Sequence, residues 1–284
     1  MSMSLRPSPV SGLRRAVRLW RVVLVVWFVS AAVFAPAYLV VDLALGPTLA
    51  NLPDRDLPPG DDLLIIENTL RPVAKPLALA VVSGWLALWG WSVLWHAGVV
   101  RWILWSGAVD LRLSEVLGHG VVWWWRYFRL SLTSGLVALF VDVVLWAPLE
   151  PAIRRAQTEG TGGRAAVLLA IGVVATLVVA AACWLAALHG AWILGQADRR
   201  SAVLAWIQGL VRSLRTPIRS MLTLMVWSVP GLAFLGLPLL LGWWWPTLRA
   251  GDPALVVNLL AGLAGAFCLV GLFLSFAPPE PEEN

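Results

Sequence analysis

Six apolar runs in this chain are each long enough to cross a lipid bilayer as a helix. A helix needs about 20 residues to span the roughly 30 Å of hydrocarbon. The runs occupy residues 22–44, 77–105, 130–149, 165–195, 220–242 and 254–276. Because 60% of the residues are hydrophobic and only 13% are charged, the chain has too little polar surface for a water-soluble globule. The sequence therefore predicts an all-α membrane protein with six transmembrane helices.

The basic residues predict how these helices are oriented. Lysine and arginine close to the ends of spans tend to stay on the cytoplasmic side. Fourteen of the 21 lie in the N-terminal flank and in the connections after the second and fourth runs, and seven lie on the opposite side. Both termini are therefore predicted to be cytoplasmic. The basic residues thus reflect the orientation of the helices in the membrane, and they attract anionic lipid. They do not indicate nucleic-acid binding, because the chain has no soluble basic domain.

The chain divides into three predicted regions. Residues 1–21 form a short basic arm, residues 22–276 form the transmembrane domain, and residues 277–284 form an acidic, disordered tail. The motif Ala35-Pro36-Ala37, behind a basic flank and an apolar run, also fits the cleavage site of a signal peptide. The apolar run continues past this motif to a spanning length, which favours a first helix that is retained.

An internal repeat duplicates the middle of the chain. His-Gly-Ala-Trp-Ile-Leu at 189–194 corresponds to His-Ala-Gly at 96–98 followed by Trp-Ile-Leu at 102–104. The repeat units cover about 77–149 and 165–242. Because each unit holds two spans, the two copies are predicted to be parallel.

Each unit contains a predicted amphipathic helix on the cytoplasmic side, at 112–127 and at 201–216. In the second copy Thr216-Pro217 ends the helix, and apolar residues recur at steps of three and four. This stripe consists of Val203, Leu204, Ile207, Leu210, Val211 and Leu214. The helices are predicted to lie at the membrane surface, or else to cover the inner end of the bundle with their apolar side.

Both arrangements direct the arginines of these helices towards lipid phosphates or the cytoplasm. The candidate lipid-phosphate contacts are Arg126, Arg129, Arg212 and Arg215, of which the first two correspond to the last two in the repeat. The pattern G-L-x-R-x-x-R, shared by residues 12–18 and 209–215, indicates a fainter third copy of the same element.

Asp142 is the ionisable residue placed deepest in a predicted span, about twelve residues into the third. Ionisable groups inside a membrane are costly and often mark functional sites. Asp142 is either a proton or cation site, or a structural carboxylate that accepts hydrogen bonds from a tryptophan N–H, a hydroxyl or an arginine. No second acid shares its depth, and a proton relay needs partners, which favours the structural alternative.

His96 and His189 occupy corresponding positions in the two repeats, near the cytoplasmic ends of their helices. Histidine can relay protons or bind metal, and Asp110 and Asp198 follow in the two copies. Alternatively, both are packing residues that hydrogen-bond the adjacent surface helix. Two histidines on separate helices do not make a metal-ligand set, so we predict neither a metal nor a cofactor.

The segment 196–220, QADRRSAVLAWIQGLVRSLRTPIRS, resembles a pattern in uncharacterised bacterial polytopic integral membrane proteins: a polar turn, D/E-R-R-S, an amphipathic helix ending in Arg, and x-P before a span. A looser similarity exists to the membrane domain found beside glycerophosphodiester phosphodiesterases, whose catalytic domain is not present here. The resemblance covers about 25 residues. It implies a bacterial cytoplasmic (inner) membrane location and six helices, and it implies no activity.

The chain contains no H-E-x-x-H, G-x-S-x-G or Walker motif and no pair of intramembrane aspartates. We therefore expect a non-enzymatic protein that acts as a lipid-interacting, scaffold or accessory subunit. Its expected partners are membrane lipids, with other membrane proteins or further copies of itself as alternatives. The alternative function is a small transporter or permease with a site near Asp142. The parallel repeat and a fifth span kinked or interrupted at Pro230-Gly231 favour that alternative.

Overall fold

The computed structural model describes residues 8–50, 74–106, 113–196, 201–244 and 252–277. These stretches are helical apart from short turns, and no strand occurs within them. They contain eight helices: α1 (Pro9–Arg18), α2 (Trp20–Ala50), α3 (Ala74–Ser106), α4 (Leu113–Thr158), α5 (Gly162–Gly195), α6 (Ala202–Arg215), α7 (Pro217–Trp244) and α8 (Asp252–Ser275). The all-α prediction is confirmed for this part of the chain. Residues 278–284 of the predicted tail lie outside the described residues.

Three of these helices are long and apolar enough to cross a membrane: α4, α5, and α3 as far as Leu104. A fourth is obtained if α1 and the first part of α2, as far as Val33, form one span, although the chain bends by 82° between them. The end of α8, Leu259–Ser275, is apolar but shorter. The described residues thus contain three or four helices that could span a membrane, whereas the sequence predicts six.

Helix α4 differs from the sequence prediction, which placed a separate amphipathic helix at 112–127 before a span at 130–149. The structure shows one helix of 46 residues from Leu113 to Thr158. No proline lies between residues 113 and 147, so nothing in this stretch removes a backbone donor or forces the helix to end. The predicted surface element is therefore the first four turns of a much longer helix.

Helices α6 and α7 are separate, as the motif Thr216-Pro217 predicts. Thr216 has non-helical backbone angles, and Pro217 is the first residue of α7. The first N–H of a helix has no intrahelical acceptor, so proline is tolerated at this position. Helix α7 then runs without interruption through Pro230 to Trp244. The interrupted form of the fifth span is therefore wrong, because the helix continues on both sides of Pro230-Gly231.

The chain divides into two compact units. The smaller unit consists of residues 24–92, which form most of α2 and the first part of α3; here the rings of Trp85 and Trp89, one helical turn apart, stack with centroids 6.4 Å apart. The larger unit consists of residues 1–23 and 93–284. It contains all the candidate site residues.

The core of the larger unit lies where the last turns of α3, α5 and α8 meet. We call residues 93–102, 183–195 and 268–277 the helix-end cluster, because most of their side chains are buried. By contrast, the first twenty residues of α5 expose most of their side chains. The part of α5 that is covered by other helices is therefore its C-terminal third.

Helix α1 packs against the last helix of the chain. Ser8 caps α1 by accepting a hydrogen bond from the backbone N–H of Ser11, and the backbone N–H of Ser8 donates to the carbonyl of Ser275 at 3.0 Å. The hydroxyl of Ser275 accepts a hydrogen bond of 2.9 Å from the indole N–H of Trp227 on α7. The first and last helices are thus held together at the helix-end cluster.

Candidate functional site

The centre of the helix-end cluster is aromatic. The ring of Phe273 on α8 lies 5.4 Å from that of Trp95 on α3 and 5.2 Å from that of Trp192 on α5, measured between centroids. The indole N–H of Trp192 donates to the backbone carbonyl of Phe273 at 3.2 Å. All three side chains are buried. The ends of three helices are therefore joined by one apolar contact in which the indole N–H of Trp192 has a hydrogen-bond acceptor.

Both predicted histidines belong to this cluster. The ring of His96 stacks on Trp95 at 3.8 Å and lies 4.2 Å from that of Phe273. His189 is only 1% exposed and meets Phe276 edge-on at 4.8 Å, and neither of its ring nitrogens has a hydrogen-bond partner among the described residues. The structure therefore places the two histidines against two phenylalanines three residues apart, Phe273 in α8 and Phe276 just after its end.

The carboxylates expected near the histidines, Asp110 and Asp198, lie outside the described residues. Within the described ranges, no group of three or more His, Cys, Asp or Glu side chains could hold a metal ion.

Two arginines bond to backbone carbonyls at the ends of α5 and α8, and sequence reasoning missed this role. Arg101 of α3 donates to the carbonyl of Gly195 at 3.0 Å, and Arg15 of α1 donates to that of Leu274 at 3.4 Å. The last carbonyls of a helix lack intrahelical partners and carry partial negative charge, so a cation stabilises them. Both arginines are buried. Arg15 lies in the basic N-terminal flank and Arg101 lies beside an apolar run, so the sequence indicated only which side of the membrane they occupy.

Two of the predicted lipid contacts, Arg126 and Arg129, lie beside an aromatic segment of α4. The guanidinium of Arg126 is 4.5 Å from the ring centre of Trp123, which also has Arg101 at 3.7 Å. Arg129 is exposed and lies 5.8 Å from the ring of Trp125. Tryptophan and arginine side by side at the end of an apolar helix suit the headgroup layer of a membrane.

The other two predicted contacts, Arg212 and Arg215, lie in the last turn of α6. Arg212 is half-buried, whereas Arg215 is exposed and follows Leu214, which is 65% exposed.

Helix α6 packs on the bundle through four small residues and Trp206, and its apolar stripe faces outwards. The buried residues are Ala202, Ala205, Trp206, Gly209 and Ser213. The exposed apolar residues are Val203, Leu204, Ile207, Val211 and Leu214. The alternative in which the stripe covers the end of the bundle is therefore wrong, because five of the six stripe residues are exposed.

Asp142 lies away from the helix-end cluster, where α4 packs on α5. Its carboxylate accepts a hydrogen bond of 2.6 Å from the hydroxyl of Thr176, and that hydroxyl accepts one of 2.9 Å from the indole N–H of Trp146. On α5, Thr176 precedes His189 by 13 positions, about 20 Å along a helix. The structure therefore does not bring Asp142 together with the two histidines.

Comparisons with protein families, with curated proteins and with solved structures give no match. The resemblance of residues 196–220 to bacterial integral membrane proteins thus stays an expectation.

Proposed function

We propose that this protein is a non-enzymatic, multi-pass protein of the bacterial cytoplasmic membrane with six spans and both termini in the cytoplasm. It acts as a lipid-interacting, scaffold or accessory subunit, and its surface helices contact the inner leaflet.

The observation that carries this proposal is the outward-facing stripe of α6. A helix on the surface of a water-soluble protein buries its apolar side, whereas α6 buries four small residues and Trp206 and exposes five large apolar side chains. That stripe ends in the exposed pair Leu214 and Arg215, an apolar side chain beside a cation. Lipid is the solvent that satisfies both, because the interface offers acyl chains next to phosphates.

The helix lengths support six spans. The helices that cover the predicted runs are α2, α3, α4, α5, α7 and α8. The shortest, α8, has 24 residues, about 36 Å at the α-helical rise, which exceeds the roughly 30 Å of hydrocarbon.

Spin labels test the position of α6. Cys183 and Cys268, the free cysteines of the described part and both buried, are first replaced by alanine, and a single cysteine is then labelled at Leu214 or at Gln208. We expect collisions with oxygen to dominate at Leu214 and collisions with a water-soluble nickel chelate to dominate at Gln208, which lies off the stripe. Equal aqueous access at both positions would contradict the proposal.

The transporter alternative depends on Asp142, whose bonding to Thr176 and Trp146 supports a structural role. We expect Asp142→Asn to have little effect on stability, since the amide still accepts the Thr176 hydrogen bond. Asp142→Leu leaves the Thr176 hydroxyl without its acceptor and lowers the free energy of unfolding by about 1–3 kcal/mol. Denaturant titration in micelles measures both changes.

The same position tests the alternative directly. If Asp142 lies on a transport path, a cysteine placed there in the background free of other cysteines reacts with a membrane-impermeant thiol reagent. Absence of labelling supports the structural role, and rapid labelling would favour a transporter.

A further inference from the structure

Three segments of the larger unit contact helix ends in the same way, each through a glycine. The segments are α1, residues 113–127 of α4, and α6. A Cβ atom placed on Gly12 would lie 2.5 Å from the carbonyl oxygen of Gly271, and one on Gly120 would lie 2.6 Å from that of Leu94. The corresponding atom on Gly209 would meet the carbonyl oxygen of Ala186. Only glycine permits such an approach of one helix to the backbone of another.

Each contacted helix offers a second small residue one turn later. On α8 it is Ser275, which faces Gly12, and on α5 it is Gly190, whose backbone nitrogen would lie 2.7 Å from a Cβ at Gly209. On α3 it is Gly98, which lies against the carbonyl of Val116. The three contacts therefore use the same pair of positions, i and i+4, on α8, α5 and α3.

The order of the contacts is cyclic. Residues 113–127 follow α3 in the chain and pack on its end, and α6 follows α5 and packs on its end. Helix α1 is the first helix that the structure describes, and it packs on the end of α8. Three units, each made of a short segment and two long helices, are thereby linked head to tail in a closed cycle.

The glycines fix a register for the rest of each segment. Five residues after the glycine comes an exposed apolar side chain, Val17, Trp125 or Leu214, exposed by 57%, 57% and 65%. The next residue is Arg18, Arg126 or Arg215. This register pairs Arg126 with Arg215, one turn later than the pairing with Arg212 that the sequence repeat predicts.

We infer that Arg18, Arg126 and Arg215, each with its preceding apolar side chain, form three equivalent binding sites for the headgroups of anionic phospholipids. This inference rests on the proposed function, since it needs these segments to lie in the leaflet. A guanidinium binds phosphate through two parallel hydrogen bonds, and the neighbouring apolar side chain enters the acyl region below it. A free phosphate ion would make no use of that exposed apolar neighbour.

The charges around the sites fit this ligand. Among the described residues no acidic side chain forms an ion pair with Arg126 or Arg215. Arg154 forms an ion pair with Glu150 near the opposite end of α4. Residues 113–127 of α4 and helix α6 therefore present positive charge to an anionic lipid.

The test counts bound lipids on the full chain. The protein is released from nanodiscs made of equal parts phosphatidylcholine and phosphatidylglycerol, and native mass spectrometry records the retained phosphatidylglycerol. We expect wild type to retain three, Arg18→Gln and Arg215→Gln each to lose one, and the triple variant with Arg126→Gln to lose all. Arg18 and Arg215 are exposed. Their single variants therefore test the inference even if substitution of the half-buried Arg126 also affects folding.

Two controls sharpen the result. Arg14→Gln changes an exposed arginine of α1 that is out of register, and Arg154→Gln changes one at the other end of α4; both should retain three lipids. Equal loss from Arg14→Gln and Arg18→Gln, or no loss from the triple variant, would overturn the three sites. If the spin label at Leu214 then still collides mainly with oxygen, the proposed function stands without the three lipid sites. If that label collides mainly with the nickel chelate, the proposed function and the three lipid sites both fail.

Discussion

Gly209→Val is expected to destabilise the protein by about 3 kcal/mol, at the upper end of the overpacking range. A Cβ at this position meets the carbonyl oxygen of Ala186 and lies 2.7 Å from the backbone nitrogen of Gly190. Both are main-chain atoms of a buried helix end, so the neighbour cannot move aside as a flexible side chain would. Helix α6 must therefore separate from α5. Thermal unfolding of the purified protein in detergent, followed by tryptophan fluorescence, measures the loss.

Gly118→Ala is the matched control, because a Cβ on Gly118 has no neighbour within 4 Å. Alanine is the better helix former, so we expect a gain of about 0.5–1 kcal/mol in an exposed helix. Similar destabilisation by both substitutions would mean that helix–helix distance is not set by glycine, and the cyclic arrangement would lose its basis.

Phe273→Ala is expected to cost about 3–5 kcal/mol, as for other large-to-small changes in a core. The ring of Phe273 contacts Trp95, His96 and Trp192, so its removal leaves a cavity where α3, α5 and α8 meet. Denaturant titration in micelles, with the tryptophan emission maximum as signal, should show both a lower midpoint and a red shift.

Phe140→Ala provides the comparison, since Phe140 on α4 is 70% exposed. We expect a change within about 0.5 kcal/mol, as for surface positions. If Phe140→Ala proved as costly as Phe273→Ala, the exposed face of α4 would be an interface with another chain, and the helix-end cluster would not be the main core.

The sequence predicts the helices well because their signals are local. Runs of apolar residues mark α3, α4 and α5, and Thr216-Pro217 marks the boundary before α7. The break predicted after residue 127 fails for a local reason too. A polar and aromatic stretch changes which surface a helix suits, but without a proline it does not end the helix.

The candidate site is harder to predict because its contacts join distant parts of the chain. Sequence reasoning allowed a hydroxyl and a tryptophan as partners of Asp142, yet nothing in the pattern identified Thr176, 34 residues later. Likewise, Arg15 bonds to a carbonyl 259 residues away. The glycines gave the better signal: Ala186 and Gly190, like Ala205 and Gly209, are small residues four apart, a spacing typical of close helix pairs.

The packing of α1 on α8 determines the order in which the fold can be completed during synthesis. Helix α1 leaves the ribosome before its partner α8, so the contacts of Gly12 and Arg15 with α8 cannot form while the intervening helices are made. Helix α6, in contrast, follows α5 directly and can dock within seconds of it. The cycle of three units therefore closes only after α8 has been made and meets α1.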